Sequence, residues 1–94
     1  MEPGKIINNI IEVVDSEFGY VYPIYKLKEN VIVITLSIKY DLMISCGQNF
    51  IAFFVSSRGE HPYIIATNLA TSISRAVEVI ESFVGKYSSP CKNI

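Results

Sequence analysis

The sequence predicts an α+β fold. A two-layer domain is expected, in which an antiparallel sheet of three to four strands carries an N-terminal and a C-terminal helix on one face, in the order α-β-β-β-(β)-α. Three observations predict it. Apolar residues recur at helical spacing in two segments, one at each end of the chain. Between these segments the apolar residues alternate or form short blocks divided by turn residues. Residues 49–56 (NFIAFFVS) form a strand that is apolar on both faces, because side chains alternate along a strand.

The first helix opens near Pro3, which suits a first helical turn. Its apolar stripe is Ile7, Ile10, Ile11, Val14 and Phe18, widened by Ile6 and Val13. Gly19 stands at the usual post-helix position. Residues 20–28 read as an edge or bulged strand, because Pro23 cannot donate to a ladder. Glu29-Asn30 is a two-residue turn. Residues 31–40 read as one long strand with Ile32, Ile34, Leu36, Ile38 and Tyr40 on one face. Residues 41–46 continue it past a bulge, and Gly47-Gln48-Asn49 turns the chain into the two-sided strand.

The segment 56–62 (SSRGEHP) is a loop. A short fourth strand, or the lead into the last helix, covers 63–66. Thr67 or Asn68 is the expected N-cap of that helix. Leu69, Ile73, Ala76, Val77, Ile80 and Phe83 form its stripe, Ala66, Ala70 and Ser74 form a small-residue row, and Gly85 ends it. The expected division is one domain over 1–87 and a flexible tail over 88–94, which contains Pro90.

The chain has 94 residues, half of them hydrophobic, and a net charge of −1 from eight basic and nine acidic side chains. A domain this short has a core of marginal stability, and so many apolar residues favour oligomerisation. Fifteen isoleucines and a single glutamine give a thermophile-like composition. The charge balance leaves no clustered basic face of the kind nucleic acid requires. No signal peptide and no apolar run of about 18 residues is present, so the expectation is a soluble cytoplasmic protein. Two cysteines, Cys46 and Cys91, with one histidine, His61, cannot build a four-ligand zinc site within one chain. A Cys46–Cys91 disulfide is open to the chain, as an intracellular thermophile protein permits. No cofactor is expected.

The two-sided strand carries the functional expectation. Two helices cover one face of a small sheet and leave the other bare. The candidate interface is therefore Phe50, Ala52 and Phe54 on one side of that strand, or Ile51, Phe53 and Val55 on the other. Val31 and Val33 of the neighbouring strand are also candidates. The expected function is that of a non-catalytic dimerising or scaffold subunit, forming a homodimer or a heterodimer with a similar small chain.

Two alternatives carry other residues. A nucleic-acid-binding module would use Lys26, Lys28, Lys39 and Arg58; separately, Arg58, Arg75 and Lys39 are the cations open to a phosphate contact. A ligand-binding domain or enzyme would be built around His61, which lies beside Glu60. The carboxylates Glu12, Asp15 and Glu17 read as the solvated face of the first helix. Thr67, Asn68, Thr71 and Ser72 gather at a helix start, where amides bind anions and where capping uses the same residue types.

The order helix–strands–helix is shared with double-stranded-RNA-binding domains, but the basic motif of their second helix has no counterpart at Thr67-Asn68-Leu69-Ala70. The stretch 47–81 resembles the C-terminal half of the small Pcc1-type subunits of the KEOPS complex, which makes the threonylcarbamoyl modification of tRNA. The resemblance runs through Gly47-Gln48-Asn49, the apolar strand 50–55, the loop 56–62 and the helix ending Ala76-Val77-Glu78-Val79-Ile80-Glu81. Pro62-Tyr63 stands where that family has Leu-Arg, and its Asn-Ser falls at Thr67-Asn68. The strand that precedes the family's first helix has no counterpart. The resemblance implies a dimerising, non-catalytic accessory subunit of a tRNA-modifying assembly, touching nucleic acid only indirectly.

Overall fold

The computed structural model describes residues 2–18 and 21–88. It is an α+β domain of two layers with seven elements in chain order. These are α1 (Pro3–Phe18), β1 (Ile24–Lys28), β2 (Val31–Thr35), β3 (Tyr40–Cys46), β4 (Ile51–Ser57), β5 (Ile64–Ala70) and α2 (Ile73–Tyr87). The five strands form one antiparallel meander in the order β1-β2-β3-β4-β5. Both helices lie on the same face of it and close a single core.

The register explains that core. Ile34 pairs with Leu42, which pairs with Val55, and Ile32 pairs with Ile44, which pairs with Phe53. All six are essentially inaccessible to solvent. Ile6, Ile7, Ile10 and Val14 of α1 descend onto this face, as do Ala76, Val79, Ile80 and Phe83 of α2. The apolar stripe of α1 read from the sequence is thus the buried one, and fully burying such a side chain is worth about 1.5–3 kcal/mol.

Several local expectations give way to the observed structure. The expected strand 31–40 ends at Thr35, and the chain reverses through Ser37–Lys39. Ser37 Oγ accepts from the amides of Lys39 (3.1 Å) and Tyr40 (3.3 Å), while Leu36 N–H bonds Tyr40 O at 3.0 Å. A serine hydroxyl does the work of a turn glycine, so the segment carried no Gly or Pro signal. Ile38, assigned by alternation to the core, sits at the tip of this turn and is 86% exposed. Residues 41–46 are accordingly the returning antiparallel strand β3, not a continuation of β2.

The N-cap of α2 is Ser72, whose Oγ accepts from Arg75 N–H at 3.2 Å, not Thr67 or Asn68. Those two residues lie in β5, so Ala66, Ala70 and Ser74 do not share a helix face, and Leu69 belongs to a strand. The helix also runs through Gly85 to Tyr87. Of the 20–28 strand, the structure forms the part after Pro23, with a bulge between Lys26 and Lys28. Gly19, Tyr20, Cys91 and residues 89–94 of the expected tail lie outside the described residues. Ser88 is tied down: its hydroxyl lies 2.7 Å from Tyr22 Oη and its N–H bonds Val84 O.

Candidate functional site

The candidate site is the face of the sheet turned away from the helices. Because the strands are in register, its side chains line up in rows across the sheet. Tyr25, Val33, Met43, Phe54 and Thr67 form the central row, through the successive pairs Tyr25–Val33, Val33–Met43, Met43–Phe54 and Phe54–Thr67. Beside it run Val31, Ser45, Ala52 and Leu69, and on the other side Thr35, Asp41, Ser56 and Ile64. Among the described residues no element covers these rows. Tyr25, Leu69 and Ile64 are each more than half exposed, while Val33 and Ala52 in the middle are below 10%.

Of the interface candidates read from the sequence, Ala52, Phe54, Val31 and Val33 lie on this outer face. Ile51, Phe53 and Val55 belong to the core, with Phe53 at 0% exposure. Phe50 falls outside β4, in the turn that follows β3, where Gly47 N–H bonds Phe50 O at 2.8 Å; the residue is about half exposed. Sequence reasoning missed Tyr25, Met43, Ile64 and Leu69. The signal for Met43 was present, since Leu42-Met43-Ile44 is as two-sided as Phe53-Phe54-Val55. Leu69 was hidden by the helical reading of β5.

Two shallow grooves mark the face. One, of 500 Å³, lies over Ala52, Phe54, Thr67, Asn68 and Leu69. The other, of 340 Å³, runs from Tyr25, Leu27, Val33 and Met43 to Asp41 and the loop residues Arg58 and Pro62. At its polar end Arg58 Nε lies 3.4 Å from Asp41 Oδ1. The pair attracts by charge, but its geometry is not that of a hydrogen bond, and the buried Oδ1 has no donor. Arg58 Nη1 donates instead to Ser37 O at 3.3 Å.

The cations proposed for nucleic acid do not gather. Lys28 lies beside the β1–β2 turn, at the Val31 end of β2. Lys39 and Arg58 lie at the Thr35 end, where Arg58 N–H bonds Lys39 O at 2.9 Å. The length of β2, about 13 Å, separates the two groups. Lys26 pairs with Ile32 and stands on the helix side, and Arg75 is on α2, where it bonds Glu78 at 2.8 Å. His61 is exposed in the loop after β4, which turns at Gly59 with φ +132°. Among the described residues no three His, Cys, Asp or Glu side chains converge to hold a metal.

Among the described residues two groups depart from their ordinary acidity. Burial pushes the Cys46 thiol up to about 11. The Glu17 carboxylate of α1, able to accept from a protonated Glu81, raises the Glu81 carboxyl of α2, with desolvation and the charges of Glu17 and Glu78 acting the same way. No described helix is long and apolar enough to cross a membrane.

No protein family, curated protein or solved structure matches the chain.

Proposed function

We propose that this chain is a non-catalytic assembly subunit of the cytoplasm that buries the outer face of its sheet against a second copy or a similar small chain. The observation that carries the reading is the uncovered central row Tyr25, Val33, Met43 and Phe54. An antiparallel sheet commonly keeps its second face wet and polar; here its central row is apolar across four strands, between rows that mix Ser45, Thr35, Asp41 and Ser56 with Val31, Ala52, Leu69 and Ile64. A C₂ pair is the default closure, since one patch then covers its own copy.

The tRNA-modifying assembly is the reading that the 47–81 resemblance supports. The observed order is the turn at Gly47, β4, a loop, β5 and α2, so a strand stands where that resemblance passes from loop to helix. The nucleic-acid alternative is disfavoured by the separation of Lys28 from Lys39 and Arg58.

The test is the mass in solution of Phe54→Glu by light scattering. The reading expects dissociation with the α/β far-ultraviolet spectrum retained. An unchanged mass would remove the face from the account.

A further inference from the structure

We propose that two copies of this chain pair antiparallel along β5, joining their sheets into one continuous sheet of ten strands. The two edges of the meander are built differently. β1 has five residues, follows Pro23, carries Lys26 and Lys28, and is bulged between them. Short length, lysine, proline and a bulge are the devices that keep an edge from pairing with another chain. β5, at the opposite edge, has seven residues, Ile64–Ala70, without a charge or a proline. Its one irregularity lies near its start, opposite Val55 and Ser56, and leaves 66–70 regular. Five of its seven residues are exposed, and among the described residues no strand pairs with its outer side.

The backbone sets the register. Leu69 N–H takes the side-chain Oδ1 of its neighbour Asn68 at 2.8 Å, so this amide does not serve the ladder to β4. Amides that face in and out alternate along an antiparallel strand, so Thr67 presents its N–H and C=O outward as well. A two-fold axis at Thr67 then makes a hydrogen-bonded pair of Thr67 with the same residue of the second copy. Leu69 comes opposite Ile65, where its amide exchanges the Asn68 Oδ1 for the Ile65 carbonyl of the second copy at the irregular start of β5, and Asn68 comes opposite Ala66. About such an axis a charged strand meets like charge, which is destabilising; β5 meets only neutral side chains, with a β-branched pair at the centre.

The pairing also enlarges the outer face. The pairing thus gives the assembly reading its partner, yet it uses an edge that the face does not.

The test takes the face out of action and reads the edge alone. Met43→Lys charges the outer face two strands away from β5. That protein is expected to sediment as a dimer, at about twice 10.5 kDa. Adding Thr67→Pro, at an outward amide where an edge strand tolerates proline, is expected to give a monomer, while Thr67→Val in its place keeps the dimer. In the Met43→Lys protein the amides of Thr67 and Leu69 should gain at least tenfold protection from hydrogen exchange between low and high micromolar concentration. A monomeric Met43→Lys protein with both amides unprotected overturns the edge pairing and leaves the face reading standing. A dimer that survives Thr67→Pro also overturns it. Should the proline variant fail to fold, the exchange of the two amides decides alone.

Discussion

Phe53 and Phe54 are consecutive in β4, and their rings stand on opposite sides of the sheet. Phe53 is fully buried under the two helices, and Phe54 pairs across the outer face with Met43 and Thr67. Truncating the two should therefore give different losses. Phe53→Ala should cost about 3–5 kcal/mol at any protein concentration. Phe54→Ala should cost less in dilute protein and should weaken the dependence of the melting temperature on concentration. Denaturant titration at two concentrations distinguishes them, and equal, concentration-independent costs would place both rings in one core.

Ile10 of α1 has no exposed surface and lies in the same core cluster as Phe53 and Ile44. Ile10→Ala should cost about 2–5 kcal/mol, a large share of the stability of a domain this size. A urea titration giving less than about 0.5 kcal/mol would mean that the helix does not pack through this stripe.

Both the stripe of α1 and the two-sided character of β4 were legible in the sequence, because each follows from periodicity alone. The hairpin between β2 and β3 was not, since its turn is made by the Ser37 hydroxyl and has no glycine. Nor was β5: Thr67-Asn68 mimics a helix cap, and Leu69 falls at helical spacing from Ile73 and Ala76. The true cap at Ser72 lies only four residues on, so a short-range pattern fits either reading. Which face of β4 is bare depended on where the helices fold back, and no local pattern carries that information.

Cys46 has no exposed surface, and its thiol is held up to about 11 by burial. In the native protein it should fail to react with a thiol reagent at pH 8 and react once denaturant is added. The raised value also has a sign for stability. The unfolded chain loses this proton from about pH 9.0, while the folded chain keeps it until about pH 11. The contribution of the thiol is thus complete below pH 9 and declines as the pH rises through that interval. Cys46→Ala should flatten this alkaline decline, and an identical decline in the variant would contradict the assignment.

A protonated Glu81 on α2 would bond the Glu17 carboxylate on α1, and this holds the Glu81 carboxyl above its ordinary value. The bond therefore stabilises the fold fully at pH below the ordinary carboxylate value of 4.5 and is lost as the pH rises through the raised value of Glu81. Glu81→Gln keeps a donor and removes the charge, so its melting temperature should vary less with pH across this window than that of the unaltered chain. Matching profiles would show that the two carboxyls do not interact in solution.

The most direct measurement is the mass of the unaltered chain, alone and at high micromolar concentration, by sedimentation equilibrium, repeated with Phe54→Glu. A covered outer face predicts a mass above 10.5 kDa that falls with the substitution while helix content is retained. A folded monomer of 10.5 kDa at that concentration, with no partner added, would contradict it.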